Sequence, residues 1–277
     1  MADILKAILF GIVEGITEWL PVSSTGHMIL LNEFVKMNVS ESFWSLFLVV
    51  IQLGAIMAVV LLFWDHILPS GMLRKNERGR RTREKWLHLW CMILVACVPA
   101  AVVGVLFDDV LDKLFYHWYV VAASLIVFGV AFIVTERINT DRRTRVKSLY
   151  KLRLTDAAMI GVFQLIAAVF PGTSRSGATI IGALLIGISR TVAAEFTFLL
   201  AIPVMFGASL LKIIKFGLVF TMHEAALLLC GMAVAFLVSL FAIRFLLAYI
   251  RAHSFRAFGI YRIVLGVLVI VYFALVQ

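Results

Sequence analysis

The 277-residue chain predicts an all-α polytopic membrane protein built as an inverted repeat: each half is a re-entrant helix hairpin followed by three transmembrane helices. Three observations lead there. Hydrophobic residues make up 63% of the chain and charged residues only 15%, with a mean hydropathy of +1.04, whereas soluble domains carry roughly 25% charge. Long apolar runs alternate with short connectors that hold most of the Lys and Arg. Finally, two polar loops 150 positions apart look like copies of one another. Gly11 meets Gly161, Glu14 meets Gln164, Pro21 meets Pro171, Ser23 meets Thr173 and Ser24 meets Ser174, and one inserted residue then aligns Gly26 with Gly177.

Apolar segments fall at about 3–20, 24–37, 42–66, 86–107, 116–135, 154–170, 177–189, 191–217, 224–250 and 257–276. At ~1.5 Å per residue the segments 24–37 and 177–189 reach only ~20 Å, short of a ~30 Å hydrocarbon core. Each follows a Pro-containing polar break, so 3–37 and 154–189 read as hairpins that enter and leave on one side. Irregular backbone at membrane depth is tolerated only against protein or a wet cavity. The remaining six segments are long enough to span. Together they predict one membrane domain over 1–277, with repeat halves at about 1–135 and 154–277 joined by a basic connector, 136–153.

Charge sets the orientation. Connector 67–85 carries Arg74, Lys75, Arg78, Arg80, Arg81, Arg83 and Lys85, and connector 136–153 is equally basic, so both are expected on the cytoplasmic face. Asp108, Asp109 and Asp112 in 108–115 fit the opposite face. Three spans per half is an odd number, so the second hairpin enters from the face opposite the first, and the two breaks meet near the midplane. The net charge of +9 sits in these connectors; it marks topology rather than nucleic-acid binding. Cys91, Cys97 and Cys230 form no metal or disulfide pattern and read as core packing. The N-terminus lacks a basic region with a small-residue cleavage site, so no cleaved signal peptide is expected.

Chemistry concentrates in the two breaks. Glu14 and Glu18, at i and i+4, share a helix face, and two buried carboxylates need positive charge nearby. A divalent cation, Mg²⁺ or Ca²⁺, bridging them to a phosphate would supply it, as would Arg175. Ser23, Ser24, Thr25 and Gly26 precede a helix, where a hydroxyl is a ready N-cap and free amides with the helix dipole favour an anion. Gly172, Thr173, Ser174, Arg175, Ser176 and Gly177 repeat this construction with a guanidinium added, and its planar fork matches phosphate oxygens. His27 is close to Ser24 and within about a turn of the acids, which gives the elements of acid/base work around a nucleophile. Thr179 lies one turn beyond Arg175, and Gln52, Glu195 and Thr197 are further candidates for a cavity wall. Lys212, Lys215, Arg244 and Arg262 read as side chains snorkelling to headgroups, and the tryptophans, Trp19 among them, as an interfacial belt.

The run Glu14-x-x-x-Glu18, Leu20-Pro-Val-Ser-Ser-Thr-Gly-His27 and Pro171-Gly-Thr-Ser-Arg-Ser-Gly-Ala-Thr179 resembles the bacterial undecaprenyl pyrophosphate phosphatase family. Its signatures are an acidic E/Q-x-x-x-E motif, a nearby His and a P-G-x-S-R-S-x-x-T loop. The resemblance implies a phosphatase that cleaves a C55 polyprenyl diphosphate to the monophosphate, renewing the lipid carrier for peptidoglycan. It also implies a divalent-cation requirement, bacitracin resistance on overproduction, and a multi-pass protein of the bacterial inner membrane with its site facing the periplasm or cell exterior. Its functional positions fall on Glu14, Glu18, Ser23, Ser24, His27, Ser174, Arg175 and Thr179. Ser24 is the expected nucleophile, with His27 or a Glu taking its proton; attack by His27 or by water stays open.

The rival expectation is an inverted-repeat transporter or flippase for an anionic or lipid-phosphate substrate, because this architecture is common among transporters. An acidic pair beside Ser and His speaks for hydrolysis. Membrane lipids surround the chain in either case. Gly182, Gly187, Gly207 and Gly231 allow close helix contacts within one chain or between the two copies of a homodimer.

Overall fold

In the computed structural model the described residues are 1–276 without 73, 75, 141, 218 and 219, and without the side chains of Asp108, Asp109 and Asp112. The expectations resting on Lys75 and on those three acids therefore lie outside the described residues. The first half contains α1 (Ala2–Thr17), α2 (Ser24–Phe34), α3 (Glu41–Leu62), the single turn α4 (Trp64–Ile67), α5 (Glu77–Phe115) and α6 (Trp118–Thr140). The second contains α7 (Leu154–Val169), α8 (Arg175–Leu185), α9 (Arg190–Phe216), α10 (Met222–Ala252) and α11 (Arg256–Val276). Helices α3, α5, α6, α9, α10 and α11 are each long and apolar enough to cross a membrane, matching the six expected spans.

Two differences from the sequence reading concern α5. It begins within the basic connector expected at 67–85 and runs on through the expected loop 108–115. Hydropathy registers where apolar surface stops, and the run Glu77-Arg-Gly-Arg-Arg-Thr-Arg-Glu-Lys85 consists largely of good helix formers that continue the helix in polar surroundings. Cys91, expected in the core, lies on the exposed surface.

Both short helix pairs are broken by proline. Pro21 and Pro171 disfavour the α conformation in the residue before them, and Phe170 is accordingly extended at φ −108°, ψ 101°. The two ends of each pair come together. At one end of the bundle Lys6 Nζ donates to Lys36 O at 2.7 Å and the Asn38 amide donates to Asp3 Oδ1 at 3.2 Å, joining the start of α1 to the end of α2. At the other, Arg145 binds Asp156 at the start of α7 and Ile186 O just after α8. That end also gathers Arg190 with Glu136, and His88 with Leu152 O. It is the basic end of the molecule.

The halves interlock rather than stack side by side. Helix α1 packs on α10 of the second half and α7 packs on α5 of the first. Small residues permit this closeness: a Cβ on Gly11 would lie 2.6 Å from Gly231 O, and one on Gly161 would lie 2.8 Å from Ala96 O. Gly129 of α6 and Gly259 of α11 face each other reciprocally, each 2.7 Å from the other's carbonyl by the same measure. A two-fold relation between the halves produces such a contact. Gly182 and Gly231 make their close contacts within the chain, against Phe163 and against Phe47 and Ile51.

Candidate active site

The interlocked arrangement brings the tips of the two helix pairs into contact, so the site is assembled from Glu18–Ser24 on one side and Phe170–Thr179 on the other. Its first feature is backbone strain. Ser23 (φ 75°) and Ser174 (φ 67°) are the only non-glycine residues with positive φ among those described, a conformation that costs on the order of 1–3 kcal/mol and concentrates at functional sites. Both serines are N-caps. Ser23 Oγ accepts from the Gly26 amide at 3.3 Å, and Ser174 Oγ accepts from the Gly177 amide at 3.2 Å. The backbone thus pairs Ser23 with Ser174 and makes Arg175 the counterpart of Ser24. This corrects the alignment of Ser24 with Ser174 expected from residue identity. The helices that follow, α2 and α8, are both 11 residues long and begin at the junction, so their positive dipole ends and free first-turn amides favour an anion there.

One carboxylate ties the two tips together. Glu18, 7% exposed, accepts from Arg175 Nη2 through Oε1 at 3.0 Å and from Ser24 Oγ through Oε2 at 2.9 Å. Ser176 Oγ donates to the Glu18 carbonyl at 3.2 Å and lies 3.1 Å from Ser174 Oγ. Arg175 Nη1 donates to Thr197 O at 3.1 Å. Thr179, wholly buried, caps this arrangement with bonds to Arg175 O at 2.9 Å and to Thr197 Oγ1 at 2.9 Å. Arg175 Nε and Thr173 Oγ1 are buried polar atoms without a hydrogen-bond partner among the described residues. Such atoms are costly unless something else satisfies them.

Glu14, 1% exposed, interacts with Glu18 and Arg175, and its Oε1 is another unpartnered buried atom. A hard divalent cation takes oxygen ligands and is commonly held by one or two carboxylates plus substrate phosphate oxygens. The donor set fits: Glu14 offers an open oxygen beside a second carboxylate. Among the described residues no cluster of three or more His, Cys, Asp or Glu forms a self-sufficient metal site, so substrate oxygens would complete the coordination.

His27 is placed differently from the expectation. A carbonyl can only accept, so Nδ1 carries the proton it gives to Ser23 O at 2.7 Å, and Nε2 accepts from the Tyr261 hydroxyl at 2.7 Å. The rings of His27 and Tyr261 stack 5.6 Å apart, 7° from parallel. Both ring nitrogens are thereby engaged, and the partner of Ser24 is Glu18. Thr25 and Gly26 form the first turn of α2; the carbonyls of Gly172 and Thr173 point into the protein and accept from Arg262.

The geometry on its own describes an anion site with a hydroxyl, an acid and a guanidinium in contact. A family model described as "Bacitracin resistance protein BacA" matches residues 7–268. The chain belongs to the BacA family. The undecaprenyl-diphosphatase of Desulfitobacterium hafniense is 58% identical over 274 residues, 99% of this chain and 97% of that protein. Undecaprenyl-diphosphatase 1 of Clostridium acetobutylicum is 57% identical over 99% of this chain and 98% of that protein. An undecaprenyl-diphosphatase of Enterococcus faecalis is 54% identical over 97% and 96% of the two chains.

Two residues of this BacA-family chain overturn the sequence reading. Arg262, expected to snorkel to headgroups, has 0% exposure and bonds both loops. Trp19, expected in the interfacial belt, is also fully buried and packs edge-on against Phe198 at 5.3 Å. Arg262 had a signal in the sequence: it stands six residues into an apolar helix, and an ionisable residue inside a membrane segment is by default a functional candidate. Cavities of about 450 and 300 Å³ open at the basic end, the first walled by His66, Tyr150 and Glu195 and the second by Arg142 and Arg251. None of the loop residues lines them.

Proposed function

We propose that the chain is an integral membrane phosphatase that hydrolyses undecaprenyl diphosphate to undecaprenyl phosphate and inorganic phosphate, recycling the lipid carrier of peptidoglycan synthesis. The observation that carries this reading, beside full-length similarity to undecaprenyl-diphosphatases, is the single Glu18 carboxylate that holds Ser24 with one oxygen and Arg175 with the other. A transporter would need the anion clamp but not a hydroxyl already hydrogen-bonded to a carboxylate.

The diphosphate lies between the two loops, met by Arg175 and by the first-turn amides of α2 and α8. Ser24 Oγ attacks the terminal phosphorus while Glu18 Oε2 takes its proton. The bond from that phosphorus to the bridging oxygen breaks, and undecaprenyl phosphate leaves. A water then attacks the phosphoserine: Glu18 returns its proton to the departing Ser24 oxygen and takes one from the attacking water, and phosphate leaves. Phosphoryl transfer is catalysed mainly by positioning and by neutralising charge on the equatorial oxygens; Arg175 supplies part of that neutralisation from a site fixed by Glu18 and Thr197. A Mg²⁺ or Ca²⁺ held by Glu14 with Glu18 would supply further positive charge to the phosphate oxygens. His27, locked by Ser23 O and Tyr261, orients the first turn of α2 and acts beside the reaction.

The bundle geometry supports two re-entrant hairpins entering from opposite faces of the bacterial inner membrane. The basic end faces the cytoplasm by the distribution of Lys and Arg, and the site opens toward the periplasm or cell exterior. Purified protein in detergent, given undecaprenyl diphosphate and Mg²⁺ or Ca²⁺, should release one phosphate per lipid. A preparation that is folded yet releases none with any divalent cation would sink the reading. Acid-stable label trapped on the protein would identify phosphoserine, acid-labile label would point to His27, and no label to water.

A further inference from the structure

We propose that Arg262 is a positioning residue for this reaction, clipping the two loops together through their backbone carbonyls so that the second loop presents its amides to the diphosphate. The inference rests on the phosphatase reading above. Arg262 has 0% exposure within a membrane-crossing helix, where an uncompensated guanidinium is very costly. Among the described residues no carboxylate pairs with it. Its bonds run instead to Pro21 O of the first loop at 3.3 Å and to Gly172 O and Thr173 O of the second at 2.9 and 2.8 Å. The Phe128 ring lies 6.0 Å from the guanidinium carbon.

The direction of these bonds gives them a consequence. In a trans peptide unit the C=O and N–H point to opposite sides. Drawing the Thr173 carbonyl back to Arg262 therefore turns the Ser174 N–H away from it, and that amide has no acceptor among the described residues. Ser174 is also one of the two strained residues (φ 67°), and such a conformation persists only when its surroundings over-determine it. The bond to Thr173 O fixes the peptide immediately before it. The second loop is shaped to admit the guanidinium: a Cβ on Gly177 would lie 3.1 Å from Arg262 Nη1 and 3.3 Å from Ser174 Cβ. Both terminal nitrogens reach loop carbonyls, while Nε has no partner among the described residues, and it is through these carbonyl bonds that Arg262 acts on the loops. The residue beside it, Tyr261, holds His27, so adjacent residues of α11 brace both halves of the site.

Arg262→Lys tests this, because lysine keeps the charge but lacks the planar fork that reaches both loops. Phosphate release from undecaprenyl diphosphate and thermal melting should be measured on one detergent preparation. The expected result is a kcat lowered on the order of 10²-fold, the penalty of a misplaced site, with KM changed less than about threefold. A wild-type kcat per folded molecule with only a lower melting temperature would overturn the proposal in favour of a structural role. A raised KM with unchanged kcat would overturn it in favour of direct substrate contact. Should Arg262→Lys not fold, Gly177→Ala presses on the same guanidinium: a kcat lowered several-fold supports the proposal, and an unchanged kcat rejects it. Wild-type protein in the same assay keeps the two ideas apart, since its own failure to release phosphate would indict the phosphatase reading instead.

Discussion

Replacing Glu18 with Gln changes one carboxylate oxygen to an amide nitrogen and leaves the shape of the side chain intact. In the native site Oε1 accepts from Arg175 and Oε2 accepts from Ser24. Gln has one acceptor oxygen; turned to Arg175, it leaves the amide NH₂ facing the Ser24 hydroxyl, which can accept from it but has lost the base for its proton. Each lost bond to a charged group is worth ~1.5–3 kcal/mol. The upper figure of 3–5 kcal/mol for a broken buried ion pair does not apply in full, because Arg175 keeps its bond to Thr197 O and its side chain is 13% exposed. Stability should therefore fall by only ~1–3 kcal/mol. Catalysis should suffer more, since removing a general base costs ~10²–10⁴-fold. We expect kcat for phosphate release to fall by about 10³, equivalent to ~4 kcal/mol of transition-state stabilisation. Glu18→Asp, whose shorter carboxylate keeps the charge but spans Arg175 and Ser24 poorly, should fall between the two. Phosphate release measured alongside thermal melting separates the effects. A Glu18→Gln protein within about threefold of wild-type kcat would refute the assignment of Glu18 as both proton acceptor and clamp.

The remaining predictions test other parts of the account. Chelation with EDTA should abolish phosphate release, with Mg²⁺ or Ca²⁺ restoring it, and Glu14→Gln should raise the cation concentration needed. A Cβ at Gly54 would lie 2.0 Å from Met232 O, so Gly54→Ala must separate α3 from α10; overpacking of ~1–3 kcal/mol or more should lower the melting temperature in detergent. Glu136, 1% exposed, accepts from Arg190 and from the Phe255 amide at the basic end, away from the loops. Because the Arg190 side chain is 38% exposed and stays hydrated, the main loss is the buried Phe255 amide left unpaired, so Glu136→Ala should cost ~1–3 kcal/mol and leave the kcat of the folded fraction near wild type. Single cysteines at 76 and 143 should react with an impermeant label from the same membrane face, and those at 111 and 220 from the other; 76 and 143 on different faces would break the topology.

Hydropathy located helix ends closely where they coincide with the end of apolar surface, as for α9 (expected 191–217, found Arg190–Phe216) and α11 (257–276, Arg256–Val276). It missed both ends of α5, because a helix that leaves the apolar zone keeps its hydrogen bonds but loses its hydropathy signal. Glu18, Ser24 and Arg175 were legible because charge and hydroxyls in an apolar chain demand partners: the guanidinium was expected beside the acid pair and a Glu was one of two partners expected for Ser24, and both contacts are present. His27 was expected beside Ser24 and the acids because of its nearness in sequence; its bond to Tyr261, 234 positions away, left no local signal. The repeat register slipped by one because the serine-rich runs match by identity in more than one way, and the positive φ that pairs Ser23 with Ser174 leaves no mark on serine. Arg262 was misread by its nearness to the span end, when its place inside the apolar helix with no acid close in sequence to pair with it was the more telling fact.

The central claim is that the two halves make one site, with Glu18 and Arg175 acting as a unit. A double-mutant cycle of Glu18→Gln and Arg175→Lys, read as kcat for phosphate release from undecaprenyl diphosphate, tests this most directly. Groups that act as a unit are strongly non-additive, so the account predicts a double variant little slower than the slower single one. Single effects that multiply in full would contradict it.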